Sequence, residues 1–287
     1  METLSLLPQY KTCSICNRII SEVKSIFENH YFYCDFCLQT TKWNEGTILA
    51  KSKILMGTLE KLLTLFLDNQ TIQEATNILK YDFVNNKVNV KMVSRYFEIF
   101  NKIVYDEVHS RMRSMMLDGE IEIDETHLFK EKKSSAPHRQ YQNSSQWLFG
   151  MRKRGSSIFI IIFVKERDKG TLVTLILNHI KVNSKIYSDC YSVYVNNRVT
   201  PKTSHLKNYG YIHYFVNHKV EFVSALLDAI HTNTIESLWK EIKTYLRKTR
   251  STKKFLFYIY RYYFTKQLTK NDQVQILVRN LQKENIE

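Results

Sequence analysis

Two cysteine pairs near the N-terminus constrain this chain more than any other feature. They are Cys13-x-x-Cys16 and Cys34-x-x-Cys37, with 17 residues between Cys16 and Cys34. Each two-residue turn lets two sulfurs face one ion, and four thiolates at this spacing close a tetrahedral site of the structural-zinc type. The strand-like Tyr31-Phe32-Tyr33 runs into the second pair, which predicts a zinc ribbon over residues 1–45. A fifth cysteine, Cys190, stands alone and reads as a packed small residue. Met1–Thr12 lacks the basic and apolar regions of a signal peptide. The longest apolar run, Ile158–Val164, has strand length and is too short to span a bilayer. The expectation is an intracellular protein with reduced thiols and no membrane partner. It would work in the nucleus of a eukaryotic host, or otherwise in the cytoplasm and nucleoid.

Beyond the cysteines the chain changes period twice. From residue 46 to 116 the pattern is helical. Leu55, Leu59, Leu62, Leu63 and Phe66 form one apolar stripe, and Val93, Tyr96, Phe97, Phe100 and Val104 form another on a helix over Val88–Val104. Thr71–Leu79 predicts a short helix between them, with Thr71 as its N-cap and Ala75 and Ile78 inward. Three such helices suit a helix-turn-helix-like DNA-binding region, a pattern shared by any small helical bundle. From 117 to 250 the pattern alternates. Strands are expected at Glu120–Asp124, Gln146–Met151, Ser157–Val164, Lys185–Ser188 and Tyr211–Val216, and helices at Thr171–Ile180 and Ile235–Leu246. That order, an α/β mixed sheet, is the order of a ribonuclease-H-like domain. Residues 251–287 form a basic, helical, aromatic tail.

Lys and Arg number 42 against 28 Asp and Glu, a formal charge of +14 and a pI near 9.4. This balance favours an anionic polymer as partner. Nucleic acid and an anionic membrane surface both fit the sign. Lys130, Lys132, Lys133, Arg139, Arg152, Lys153 and Arg154 are the basic residues expected to follow a DNA backbone.

Carboxylates supply the chemistry. Two divalent ions can activate an attacking oxygen and stabilise a leaving one, and Mg²⁺ takes two or three carboxylates and keeps several waters. Asp124 closes the first expected strand, Asp189 follows the fourth, and Glu236 opens the last helix. Neighbouring first and fourth strands would bring both aspartates to one sheet edge. Glu122 and Glu125 are alternatives to Asp124, and Asp189 also suits a helix N-cap. Asn233 at an N-cap with Glu236 three residues on has the form of a capping box, which by itself accounts for both. Lys240 and Lys243 share a helical face with Glu236, where they could pair with it or meet a phosphate.

Five blocks occur in order: Ile121-Glu122-Ile123-Asp124-Glu125-Thr126, Gln146-Trp147-Leu148-Phe149-Gly150, Ile186-Tyr187-Ser188-Asp189, Val216 to Val223, and His231 to Lys243. Together they resemble the Merlin superfamily of DNA transposases and its bacterial insertion-sequence relatives, closely over residues 118–250. The resemblance implies a ribonuclease-H-like fold and a DDE-type triad of Asp124, Asp189 and Glu236 on Mg²⁺ (or Mn²⁺). It implies accessory or DNA-contacting roles for Lys243, Asn233, His231 and His218, beside the Lys240 that shares the Glu236 face. Cys190 departs from the pattern, since a small residue, often glycine, is usual after the second aspartate. The implied activity is strand cleavage and strand transfer at the ends of a mobile element. The partners would be duplex DNA, as terminal inverted repeats and target, and further copies of the chain. A transposase-derived DNA-binding protein without catalysis is the alternative, and a nuclease of the same fold acting on other substrates is a third.

Overall fold

A computed structural model describes residues 6–26, 29–82, 88–127, 147–196, 198–216, 231–247 and 255–283. Chain contacts divide it into two compact units, Met1–Glu107 with Tyr263–Glu287, and Val108–Tyr262.

The first unit opens with short strands around the cysteines. β1 (Lys11–Thr12) pairs with β2 (Ile19–Ile20), and β3 (Val23–Ile26), β4 (Asn29–Tyr33) and β5 (Thr40–Lys42) form a three-stranded antiparallel sheet. Helices follow. α1 (Met56–Leu67) buries Leu59, Leu62, Leu63 and Phe66, as its stripe predicts. α2 (Ile72–Asp82) begins after Thr71. The Thr71 hydroxyl accepts from the Glu74 amide, and the Glu74 carboxylate accepts from the Thr71 amide, a reciprocal cap. α2 buries Ala75, Thr76 and Leu79, while Ile78 is only half-buried.

α3 (Val90–Ser114) carries the expected inward face of Val93, Tyr96, Phe97, Phe100 and Val104. Phe66 meets Phe97 and Phe100 edge-on, each at 5.3 Å between ring centres. The helix runs ten residues past the expected end at Val104, because Val108 and Met112 continue the buried stripe.

The second unit holds a five-stranded sheet. β6 (Glu120–His127), β7 (Trp147–Lys153) and β8 (Phe159–Val164) form an antiparallel meander. α4 (Lys169–His179), capped by the Asp168 side chain, leads to β9 (Lys185–Asp189). A small bridge of β10 (Val195–Asn196) and β11 (Thr203–Ser204), unforeseen from the sequence, precedes β12 (Ile212–Val216). The sheet order is β12-β9-β6-β7-β8, with β6, β9 and β12 parallel. This mixed sheet fits a ribonuclease-H-like domain. One face packs Ile121, Ile123, Phe149, Met151 and Ile186 against Leu172 and Ile176 of α4. The other receives α5 (Asn233–Arg247), whose buried side is Ile235, Leu238, Trp239, Ile242 and Leu246. The tail is two helices, α6 (Phe255–Gln267) and α7 (Lys270–Gln282). No helix among the described residues is long and apolar enough to cross a membrane.

Candidate active site and metal centre

The four N-terminal thiols converge. Sγ of Cys13 lies 3.5 Å from that of Cys37, and Cys16 lies 3.5 Å from Cys34; all four ligand atoms fall within 4.8 Å of one another. A tetrahedron of sulfurs about 2.3 Å from zinc has edges of roughly 3.8 Å. The two turns share one construction. The Cys13 amide donates to the Arg18 carbonyl and the Cys34 amide to the Gln39 carbonyl. Asn17 and Leu38, each just after a pair, take left-handed backbone at φ 58° and 56°. Backbone N–H groups of Cys16 and Ile15 bring the Cys13 thiol down to about 6, and those of Cys37 and Phe36 also lower the Cys34 thiol. Burial lifts Cys37 to about 12. Two thiols biased to thiolate beside two that are not form a donor set that a dication completes, so the residues fit structural zinc.

The carboxylates are placed by the sheet. β6 and β9 run parallel, with Glu120 opposite Lys185 and Glu122 opposite Tyr187. The same offset carried two residues further brings Asp124 level with Asp189, the last residue of β9, on the sheet face that α5 covers. Asp189 therefore ends a strand; it does not cap a helix. Its Oδ1 accepts from the Tyr191 amide at 2.9 Å and turns the chain away. Asp124 Oδ2 accepts from Trp239 Nε1 at 2.8 Å. Burial lifts the Asp124 carboxyl to about 6, and the charges of Asp189 and Glu236 push the same way. That mutual repulsion is what a divalent cation relieves, so this donor set fits Mg²⁺ or Mn²⁺. The three acids do not close as tightly as the thiols. Among the described residues only the four cysteines form a group of three or more metal-binding side chains within 4.8 Å. Each acid instead holds a protein donor: Trp239, the Tyr191 amide, and for Glu236 the Thr232 hydroxyl at 3.2 Å.

Glu122 answers the capping question. The free amides of α5's first turn, on Thr234 and Ile235, both donate to Glu122 Oε2, at 3.0 and 2.9 Å. No capping box forms between Asn233 and Glu236, because a fully buried carboxylate from β6 occupies the helix start first. The other oxygen of Glu122 pairs with Arg154 Nε at 2.9 Å and lies 3.6 Å from His231 Nδ1. Arg154 also donates to the His231 carbonyl and stacks over Tyr187, and Arg152 donates to the Thr234 carbonyl at 2.7 Å. Lys153 pairs with Asp118. These three cations, expected on a DNA backbone, therefore all have partners within the chain: Arg152 and Arg154 fix the start of α5, and Lys153 sits in an exposed pair. Glu122, a possible alternative to Asp124, is likewise committed to the helix start. Glu125 points to the opposite face, where Tyr194 Oη donates to it and burial lifts it to about 7.

Asn233 and Lys240 are exposed, and His231 and Lys243 half-buried. Lys240 makes no ion pair with Glu236 among the described residues. His218, the Val216–Val223 block beyond Val216, and Lys130, Lys132, Lys133 and Arg139 lie outside the described residues.

Sequence reasoning missed Trp239 as a donor, Tyr194, the Glu122–Arg154 clamp and the role of Gly150. Gly150 sits opposite Asp124 across the β6–β7 ladder. A Cβ there would lie 2.5 Å from Cζ2 of Trp239. A glycine inside a strand of a chain with only seven is a mark of close approach that the sequence already carried.

Residues 116–264, more than half of the chain, match the family model described as the ISXO2-like transposase domain. No curated protein matches the chain.

Proposed function

The chain belongs to the ISXO2-like transposase family, and from that premise we propose that it is a DDE-type DNA transposase of the Merlin kind, cleaving and joining DNA strands with two divalent ions. One observation carries the reading. Asp124 and Asp189 each lie two residues beyond the last paired residues, Glu122 and Tyr187, of adjacent parallel strands, and the charges of Asp189 and Glu236 both push the Asp124 carboxyl up. Asp124, Asp189 and Glu236 would hold Mg²⁺ or Mn²⁺, which supplies Lewis acidity at the scissile phosphate. Trp239 orients Asp124, and the Glu122–Arg154–Arg152 clamp sets where α5, and so Glu236, begins. Lys243, Lys240, Asn233 and His231 would meet DNA beside the acids, with His218 as a further contact.

We also assign residues 1–45 to a zinc ribbon, 46–116 to a DNA-binding helical region, 117–250 to the catalytic domain and 251–287 to a basic tail. The ribbon and helical region would recognise the element ends, with two or more copies of the chain pairing them. The test is cleavage of repeat-ended DNA in Mg²⁺. Asp124→Ala and Asp189→Ala should abolish cutting and joining while leaving DNA binding; variants that cut as well as the parent would refute the assignment.

A further inference from the structure

Arg167, the residue before the cap of α4, is half-buried, and among the described residues its guanidinium rests on aromatic rings. Its guanidinium carbon lies 3.4 Å above the Trp147 ring and 5.3 Å from the centre of the Tyr191 ring. At 3.4 Å a guanidinium lies flat on the indole, which leaves its N–H donors free around the edge. The two aromatics place it at the end of β6 and beside the turn that follows Asp189. Trp147 pairs with His127 at the end of β6, three residues past Asp124. Tyr191 donates its hydroxyl to the Arg167 carbonyl at 3.1 Å and its amide to Asp189 Oδ1. The positive charge also reaches Glu125, whose carboxyl it draws downward against burial.

Among the described residues no acid forms an ion pair with this cation. Asp168, next in sequence, has both oxygens on Thr171. Among the described residues the Arg167 side chain has no ion pair and no hydrogen bond. The contrast with Arg152 and Arg154 is direct, since both are consumed by α5.

We propose that Arg167 is a phosphate-binding residue, its guanidinium pre-set by Trp147 and Tyr191 to grip a phosphodiester of the DNA strand entering the acid cluster. A flat guanidinium suits a phosphate because two N–H groups reach two oxygens at once. It also answers an electrostatic need. Asp124, Asp189 and Glu236 concentrate negative charge where a polyanion must arrive, and a fixed cation at their margin offsets part of it. This inference rests on the transposase reading of the same site.

The experiment titrates full-length protein, R167Q and R167M against a fluorescent DNA duplex at several salt concentrations. Ca²⁺ replaces Mg²⁺, since it takes the same oxygen ligands. Glutamine and methionine keep a side chain that packs on Trp147 and remove the charge, so whichever variant melts like the parent carries the test. The expected result is about tenfold weaker binding, and a plot of log K against log salt shallower by about 0.9, one phosphate contact. A purely packing role would leave that slope unchanged. A folded variant with parental affinity and slope overturns the inference and leaves the transposase reading standing. A parent that does not bind duplex DNA overturns both.

Discussion

At the scale of single residues, the site is defined by how its carboxylates are solvated. Asp124 has exchanged water for an indole N–H, the Glu125 backbone amide and two like-charged neighbours, and burial lifts its carboxyl to about 6. Trp239→Phe keeps the ring's packing and removes the donor. A hydrogen bond to a charged group contributes about 1.5–3 kcal/mol. The Asp124 carboxyl should therefore rise by a further one to two units, and the acid limb of the cleavage pH profile should move up with it, read from rates between pH 5 and 9. Stability follows the same groups. Asp124 at about 6 and Glu125 at about 7 both lie above their unfolded values. Their neutral forms therefore stabilise the fold below about pH 4, and that contribution is lost as pH rises through 6 and 7. Cation-free protein should melt at lower temperature at pH 8 than at pH 5 as far as these two groups act. Asp124→Asn with Glu125→Gln should flatten the difference, and Mg²⁺ should raise the melting temperature more at pH 8.

At the scale of elements, the question is how α5 is held on the sheet. Its amphipathic stripe says which side is buried but not where along the strands it stops. Two contacts decide that: the Glu122 carboxylate under its first turn, and the Trp239 ring over Gly150. Gly150→Ala puts a Cβ into that ring, and overpacking of this kind costs about 1–3 kcal/mol. We expect a lower melting temperature and a larger loss of cleavage than of DNA binding, because Trp239 must leave Asp124 to make room. Glu122→Gln keeps the shape but leaves Arg154 facing no charge. Breaking one side of a buried pair costs about 3–5 kcal/mol, so denaturant unfolding should shift strongly, well beyond the effect of an exposed pair such as Lys102–Asp106.

At the scale of the whole molecule, the two compact units are built differently. Val108–Tyr262 is continuous in sequence, whereas the other joins Met1–Glu107 to Tyr263–Glu287. Within that second assembly Lys270 of α7 donates to the Leu67 carbonyl at the end of α1, and Gln282 donates to the Leu6 carbonyl. Its ribbon has little apolar interior, so zinc should supply much of its folding free energy. One zinc per chain is expected by metal analysis. A chelator should expose residues 6–45 to limited proteolysis while a fragment covering 108–262 persists; a ribbon equally protected without metal would count against the zinc site.

The residue pattern alone determined a good deal. The knuckle spacing announced a four-sulfur centre, alternation at Glu120–Asp124 announced a strand, and the Ile235–Leu246 stripe announced a helix with one buried side. These are local facts, because period and turn chemistry act over a few residues. Strand order put Asp124 and Asp189 within reach, since five strands in this sequence have few ways to pair. The partners of charge were not legible. Arg152 and Arg154 look like surface cations in sequence, and Glu236 looks like half of a capping box. Only the tertiary structure brings Glu122 to the helix start, 112 residues away from Thr234. The same holds for Arg167, whose seat on Trp147 and Tyr191 is visible only in the folded chain. Hydrogen bonds and ion pairs are settled by which groups share a desolvated space, and that sharing is a property of the packed chain.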